Sequence, residues 1–121
     1  MDVLARIVVA LVALLHVYIL VLEMFLWTAP STRRRFGTDA DFARSTRSLA
    51  ANQGLYNGFL AAGLFWGLLH PDHATGFQIQ IFFLVCVMVA GLYGAATAKR
   101  SILFVQAVPA VIALLCVWLA G

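Results

Sequence analysis

The sequence predicts an all-α integral membrane protein, a bundle of four transmembrane helices with both termini on the outer side. Three observations carry that reading. The 121 residues are 64% hydrophobic and 11% charged, whereas soluble domains are about 45–50% apolar and about 25% charged. A domain this small has no interior able to absorb so much apolar surface, so the bilayer must serve as solvent. Second, the apolar residues gather in four stretches, about 4–27, 49–69, 77–98 and 102–120, each near the roughly 20 residues that cross a hydrocarbon core. Third, seven of the eight basic residues lie in two connections: Arg33, Arg34, Arg35, Arg44 and Arg47 after the first stretch, and Lys99 with Arg100 after the third. Positive residues stay on the cytoplasmic side, which sends both termini and the turn near residue 70 outward. The connections are too short for a folded domain outside the membrane, so residues 1–121 form one domain with a basic cytoplasmic connection at 30–48.

The first stretch reads as a retained span. Its start carries only Asp2 and Arg6, its apolar run exceeds a signal-peptide core, and Pro30 with Arg33–Arg35 follows as in a stop-transfer segment. The polar segment 31–47 contains Gly37, then Thr38-Asp39-Ala40-Asp41, where Thr38 is expected to cap a helix carrying carboxylates in its first turn. That helix is expected to lie in the interface and run on into the second span. In the second span, Gly54 with Gly58 and Gly63 with Gly67 form pairs of small residues four apart, which let another helix approach closely. His70-Pro71-Asp72-His73 closes its outer end as a tight turn. Pro109 interrupts the fourth span and predicts a kink near Val105. Trp27, Trp66 and Trp118 fall near predicted interfaces, as in an aromatic belt.

Several function classes are set aside on composition. The arginines are a membrane flank, so no nucleic-acid partner is expected. Cys86 and Cys116 lie inside spans without C-x-x-C spacing and act as small apolar fillers. The histidine pair of the outer turn has no further ligand cluster, and His16 has no haem-type partner, so neither metal nor cofactor is expected.

The polar residues within the spans carry the functional reading. Glu23 lies seven residues after His16, which is about 700° of helix and roughly 10 Å along its axis, so both fall on one face. Ionisable groups in membrane helices usually mark a pathway, a proton site or a ligand. With the midpoint of each span taken as the membrane centre, Asn52 and Gln53 come to the level of Glu23, and Asn57, Tyr56 and Tyr18 to that of His16. Tyr93 and Gln106 return to the Glu23 level. The expected site is therefore a polar pocket in the cytoplasmic half: Glu23 and His16 as acid–base pair, with Asn52, Gln53, Asn57, Tyr56, Tyr93 and Gln106 as ligand contacts. A lone carboxylate in hydrocarbon takes up a proton or finds partners, and the amides supply donors. The bland alternative is interhelical glue at about 1 kcal/mol per contact; it fits Gln78, Gln80 and Gln106 better than Glu23, because glue seldom needs an ionisable group.

Two blocks are specific enough to suggest a family. Leu15-His16-Val17-Tyr18-Ile19-Leu20-Val21-Leu22-Glu23-Met24-Phe25-Leu26-Trp27 and Leu49-Ala50-Ala51-Asn52-Gln53-Gly54-Leu55-Tyr56-Asn57-Gly58-Phe59-Leu60-Ala61-Ala62-Gly63 resemble the bacterial membrane family "domain of unknown function 1304", over nearly the whole chain. The resemblance implies a compact four-helix membrane protein of about this length and brings no activity; the expected location is a bacterial inner membrane, crossed several times. A looser likeness around Asn57-Gly58, to small four-helix membrane isomerases acting on epoxides, is analogy alone.

Three functions follow as expectations. The preferred one binds or isomerises a small lipophilic molecule at Glu23 and His16, with Asn52 and Asn57 orienting its polar group and no cofactor. The second is a small proton-coupled exporter using Glu23, similar in outline to the small multidrug-resistance transporters. The third is a structural or accessory subunit that docks through the small residues of the second helix. Under each, membrane lipid is a partner and self-association as dimer or trimer is expected.

Overall fold

The computed structural model describes residues 2–97, 101 and 103–121, helices joined by turns, bends and short irregular segments; among the described residues there is no strand. Helix α1 covers Val3–Met24, α2 Pro30–Phe36, α3 Ala40–Ser45, α4 Arg47–Leu69 and α5 His73–Thr97. A π-helical turn at Leu103–Ala107 leads into α6, Val108–Ala120. Residues 98–100 and 102, which hold the expected third-to-fourth connection with Lys99 and Arg100, lie outside the described residues. Val3–Met24 and His73–Thr97 are long and apolar enough to cross a membrane, and Phe104–Ala120 is a shorter apolar helix. Helix α4 has 23 residues, but Arg47, Asn52, Gln53 and Asn57 dilute its apolar character.

The described residues divide into two compact units, one from Met1–Leu14 with Leu60–Gly121 and the other from Leu15–Phe59. The core of the first is Ala5, Val9, Val12 and Ala13 of α1, Leu64 and Leu68 of α4, Leu84 and Val87 of α5, and Ala110, Ala113 and Val117 of α6. On each helix these residues recur three or four apart, which sets them on one stripe. So many alanines and valines leave short side chains between backbones, and the helices pack closely.

Glycines decide how closely. A Cβ on Gly76 would stand 2.6 Å from the Gly67 carbonyl oxygen, so α4 and α5 meet backbone to backbone beside their turn. Side chains then satisfy the last carbonyls of α4, which lack helical partners. Arg6 Nη2 donates to Leu68 O at 3.0 Å and Gln80 Nε2 to Gly67 O at 3.1 Å. Arg6 is the basic residue outside the two connections, and this cap gives it a structural role. Helix α5 is started by Asp72, whose Oδ2 accepts from Thr75 N at 3.0 Å and from the Thr75 hydroxyl. The Thr75 hydroxyl and N–H hold its carboxyl below the usual range, with smaller help from His70 and His73.

Pro109 disturbs the last helix where expected. Proline has no N–H and its ring crowds the carbonyl four residues back, and the π turn at Leu103–Ala107 absorbs that misfit one residue before α6 begins. Gly91 of α5 leaves room for the turn, since a Cβ there would lie 2.6 Å from Ala107 N.

The second unit differs from expectation in its connection. Helix α1 ends at Met24, three residues early, where Leu26 N reaches back to Val21 O at 3.2 Å. The expected polar connection contains a further helix, α2, with Pro30 in its first turn and Gly37 just past its end at φ 69°, the usual helix punctuation. Asp39, rather than Thr38, caps α3: its carboxylate accepts from Phe42 N at 2.7 Å. The helix starts at Ala40, which leaves Thr38 one position too early. Nor does α3 run on into α4; Thr46, at φ −104° and ψ 8°, separates them.

Candidate functional site

The second unit contains the acid, the imidazole and the amides of α4 that the sequence singled out. Along α1 the buried positions Ala5, Val9, Val12, Ala13, His16 and Glu23 follow one helical face. His16 is fully buried and Glu23 is 8% exposed. The seven-residue spacing does put both on the inward side of the helix.

Helix α4 meets this face through Gly54. A Cβ on Gly54 would stand 2.6 Å from Met24 Cγ, 3.1 Å from Glu23 Cβ and 3.2 Å from Leu20 O. The missing side chain therefore lets the α4 backbone lie directly against the turn of α1 that bears the carboxyl. Asn57 follows Gly54 by three residues, on the same side of α4. Its Nδ2 donates to Glu23 Oε1 at 2.6 Å, in a buried bond between residues 34 apart in sequence. Asn57 itself is 7% exposed. Gly58, one position on, meets only the end of the Leu20 side chain.

The other candidates are placed differently. Asn52 and Gln53 are exposed on α4, as is Tyr56, whose ring makes an edge contact with Phe59 at 5.8 Å. Tyr93, 72% exposed on α5, and the half-buried Gln106 of the π turn belong to the first unit. Asn57, expected at the level of His16, is thus the amide that meets the acid, while Asn52 and Gln53, expected at the level of Glu23, are exposed. Among the described residues, no three His, Cys, Asp or Glu side chains gather where a metal ion could be held.

The basic connection is anchored on the same unit. Trp27 Nε1 donates to Thr46 Oγ1 at 3.0 Å, and the Trp27 ring meets Phe36 edge-on at 4.9 Å. Arg33 Nε donates to Thr28 O at 3.2 Å, while Arg35 lies over the Tyr18 ring with its guanidinium carbon 5.9 Å from the centroid. Sequence reasoning missed these ties. Pro30 and Gly37 were available to announce α2, but no spacing rule joins Trp27 to Thr46.

A carboxyl hydrogen-bonded to an amide, with apolar neighbours, has definite chemical capacities. Protonated, it can donate a hydrogen bond or a proton to an oxygen; ionised, it can accept one. The bond to Asn57 fixes the carboxyl rotamer and occupies one carboxyl oxygen. Glu23 Oε2 and the Asn57 carbonyl make no hydrogen bond among the described residues.

Residues 10–118 match the family described as "Protein of unknown function (DUF1304)". Among curated proteins, the chain is similar to "Uncharacterized protein YpaA" of Lactococcus lactis subsp. lactis (strain IL1403), 32% identical over 117 residues, which is 95% of this chain and 97% of that protein. No solved structure matches the chain. The match over residues 10–118 makes the chain a member of the DUF1304 family.

Proposed function

We propose that this protein is a multi-pass protein of the bacterial inner membrane, with its four long apolar segments as spans, and that it binds a small lipophilic molecule at Glu23. The observation that carries this reading is the buried hydrogen bond from Asn57 Nδ2 to Glu23 Oε1, 2.6 Å long, at a site where two helices touch without a side chain between them. A carboxyl is an expensive way to join two helices, since an amide or hydroxyl makes the same bond without the penalty of a charge. Its retention at a buried helix contact supports a role in proton transfer or in gripping a polar group of an apolar ligand. In this scheme Glu23 is acid or base and Asn57 orients it, while His16, roughly 10 Å away along the same face of α1, is a second ionisable group facing the ligand. Acid–base isomerisation is the reaction class such a pair serves without a cofactor.

Labelling with dicyclohexylcarbodiimide, a lipophilic reagent that modifies carboxyl groups inside membranes, tests the reading. Glu23 is expected to take up the reagent, Glu23→Gln to lose that adduct, and Asn57→Leu to change the labelling rate. Labelling of Glu23 by a water-soluble carbodiimide alone would show an aqueous site and overturn the proposal.

A further inference from the structure

Arg35 stands in an unusual place for a membrane-flanking arginine. The ring under its guanidinium belongs to Tyr18, six residues before the end of α1, which is roughly 9 Å back along that helix. Helix α2 has therefore folded back, and its cation lies beside apolar surface rather than beyond the helix end. Val17, Tyr18 and Val21 are exposed there, Tyr18 at 44%. Tyr18 and Glu23 are five residues apart, about 140° around the helix, so this face is not the one bearing the carboxyl. The connection holds five arginines against two aspartates, Asp39 and Asp41. Asp41 pairs with Arg44, and Asp39 caps α3. Among the described residues no carboxylate pairs with Arg35.

A guanidinium keeps its charge at any ordinary pH and presents five donors in a planar fork. The tyrosine ring offers it a face but accepts none of those hydrogen bonds. Beside hydrocarbon, the group that matches the fork in charge and geometry is a phosphate oxyanion. The geometry points to a binding site for the phosphate of an anionic phospholipid on this face of α1: Arg35 grips the oxyanion, and the Tyr18 ring holds the guanidinium beside the helix. The site is independent of Glu23, because neither residue pair shares a face or an atom with the other. The lipid lies along Val17 and Val21, and its headgroup is drawn toward α2.

The test is native mass spectrometry of the full chain released from nanodiscs that contain phosphatidylglycerol and phosphatidylcholine. Wild type is expected to retain phosphatidylglycerol selectively. Arg35→Gln should weaken that retention about tenfold, as loss of a charge-assisted contact implies. Arg35→Lys should recover part of it, and Tyr18→Leu should weaken it less than Arg35→Gln. Arg44→Gln, which removes a cation already paired with Asp41, should leave selectivity intact. Circular dichroism of each variant checks that the helices persist. Equal losses in Arg35→Gln and Arg44→Gln would reveal a diffuse basic surface and overturn the site. Equal competition by millimolar inorganic phosphate would do the same, because it would show an anion site without lipid specificity.

Discussion

Adding one methyl group at Gly54 should damage the protein, whereas adding it at Gly58 should not. Both glycines lie within α4, so Gly→Ala brings about the same gain in helix propensity, roughly 1 kcal/mol. Their surroundings differ. At Gly54 the new Cβ meets Met24 Cγ at 2.6 Å, Glu23 Cβ at 3.1 Å and Leu20 O at 3.2 Å. The first atom can swing aside, but the other two are fixed to the α1 backbone, so the helices must separate by a few tenths of an ångström. Overpacking of this kind costs about 1–3 kcal/mol, and stretching the 2.6 Å bond from Asn57 to Glu23 forfeits about 0.6–1.7 kcal/mol more. At Gly58 the new Cβ meets Leu20 Cδ1 at 2.7 Å and Leu20 Cγ at 4.0 Å, and a rotamer change removes that conflict. After the propensity gain, Gly54→Ala should be destabilised by about 1–4 kcal/mol and Gly58→Ala should be neutral or slightly stabilised. Reversible unfolding in mixed micelles, followed by helical circular dichroism, gives both numbers. Equal stabilities for the two variants would refute the idea that the close approach at Gly54 sets the Glu23 contact.

Gly91→Ala should cost about 2–3 kcal/mol in the same assay, because its Cβ would meet Ala107 N and Cα at 2.6 and 2.9 Å, backbone atoms with no rotamer to change. Asp39→Ala should cost about 1 kcal/mol through loss of the α3 cap, measured by amide exchange at Phe42. Asp72 should make stability depend on pH. Its folded carboxyl titrates below the ordinary value because of Thr75, so its contribution is complete above about pH 4 and is lost as pH falls through the unfolded and then the folded value. Unfolding of Asp72→Asn across that range should be the flatter curve. Trp27→Phe should loosen the basic connection by removing the bond to Thr46, seen as faster proteolysis between Pro30 and Arg47.

Much of the helical layout is legible in the chain because apolar length and punctuation are local. Runs of about twenty apolar residues, Pro109 and the His70-Pro71 turn each act within a few residues of themselves, and α1, α4 and α5 lie over the first three runs. The connection was harder. Thr38 and Asp39 are both good caps, and only the start of α3 at Ala40 selects Asp39. Asn57 was legible as a polar residue of the site, but neither its depth nor the azimuth of its neighbours was. Span midpoints place Asn57 level with His16 and place Asn52 and Gln53 level with Glu23, whereas Asn57 is the amide bonded to Glu23 and the other two are exposed on α4.

The sequence by itself determined an apolar, helical chain with membrane-length segments, a basic connection, and an acid and an imidazole on one face of α1. Those properties follow from composition and from a fixed number of residues per turn. The tertiary structure alone decided which amide reaches the acid, because that depends on how α4 is rotated and how near it comes. Gly54 sets the nearness and Asn57 occupies the azimuth. The same holds for Arg35, whose charge was plain in the sequence but whose seat on Tyr18 required the chain to turn back on itself.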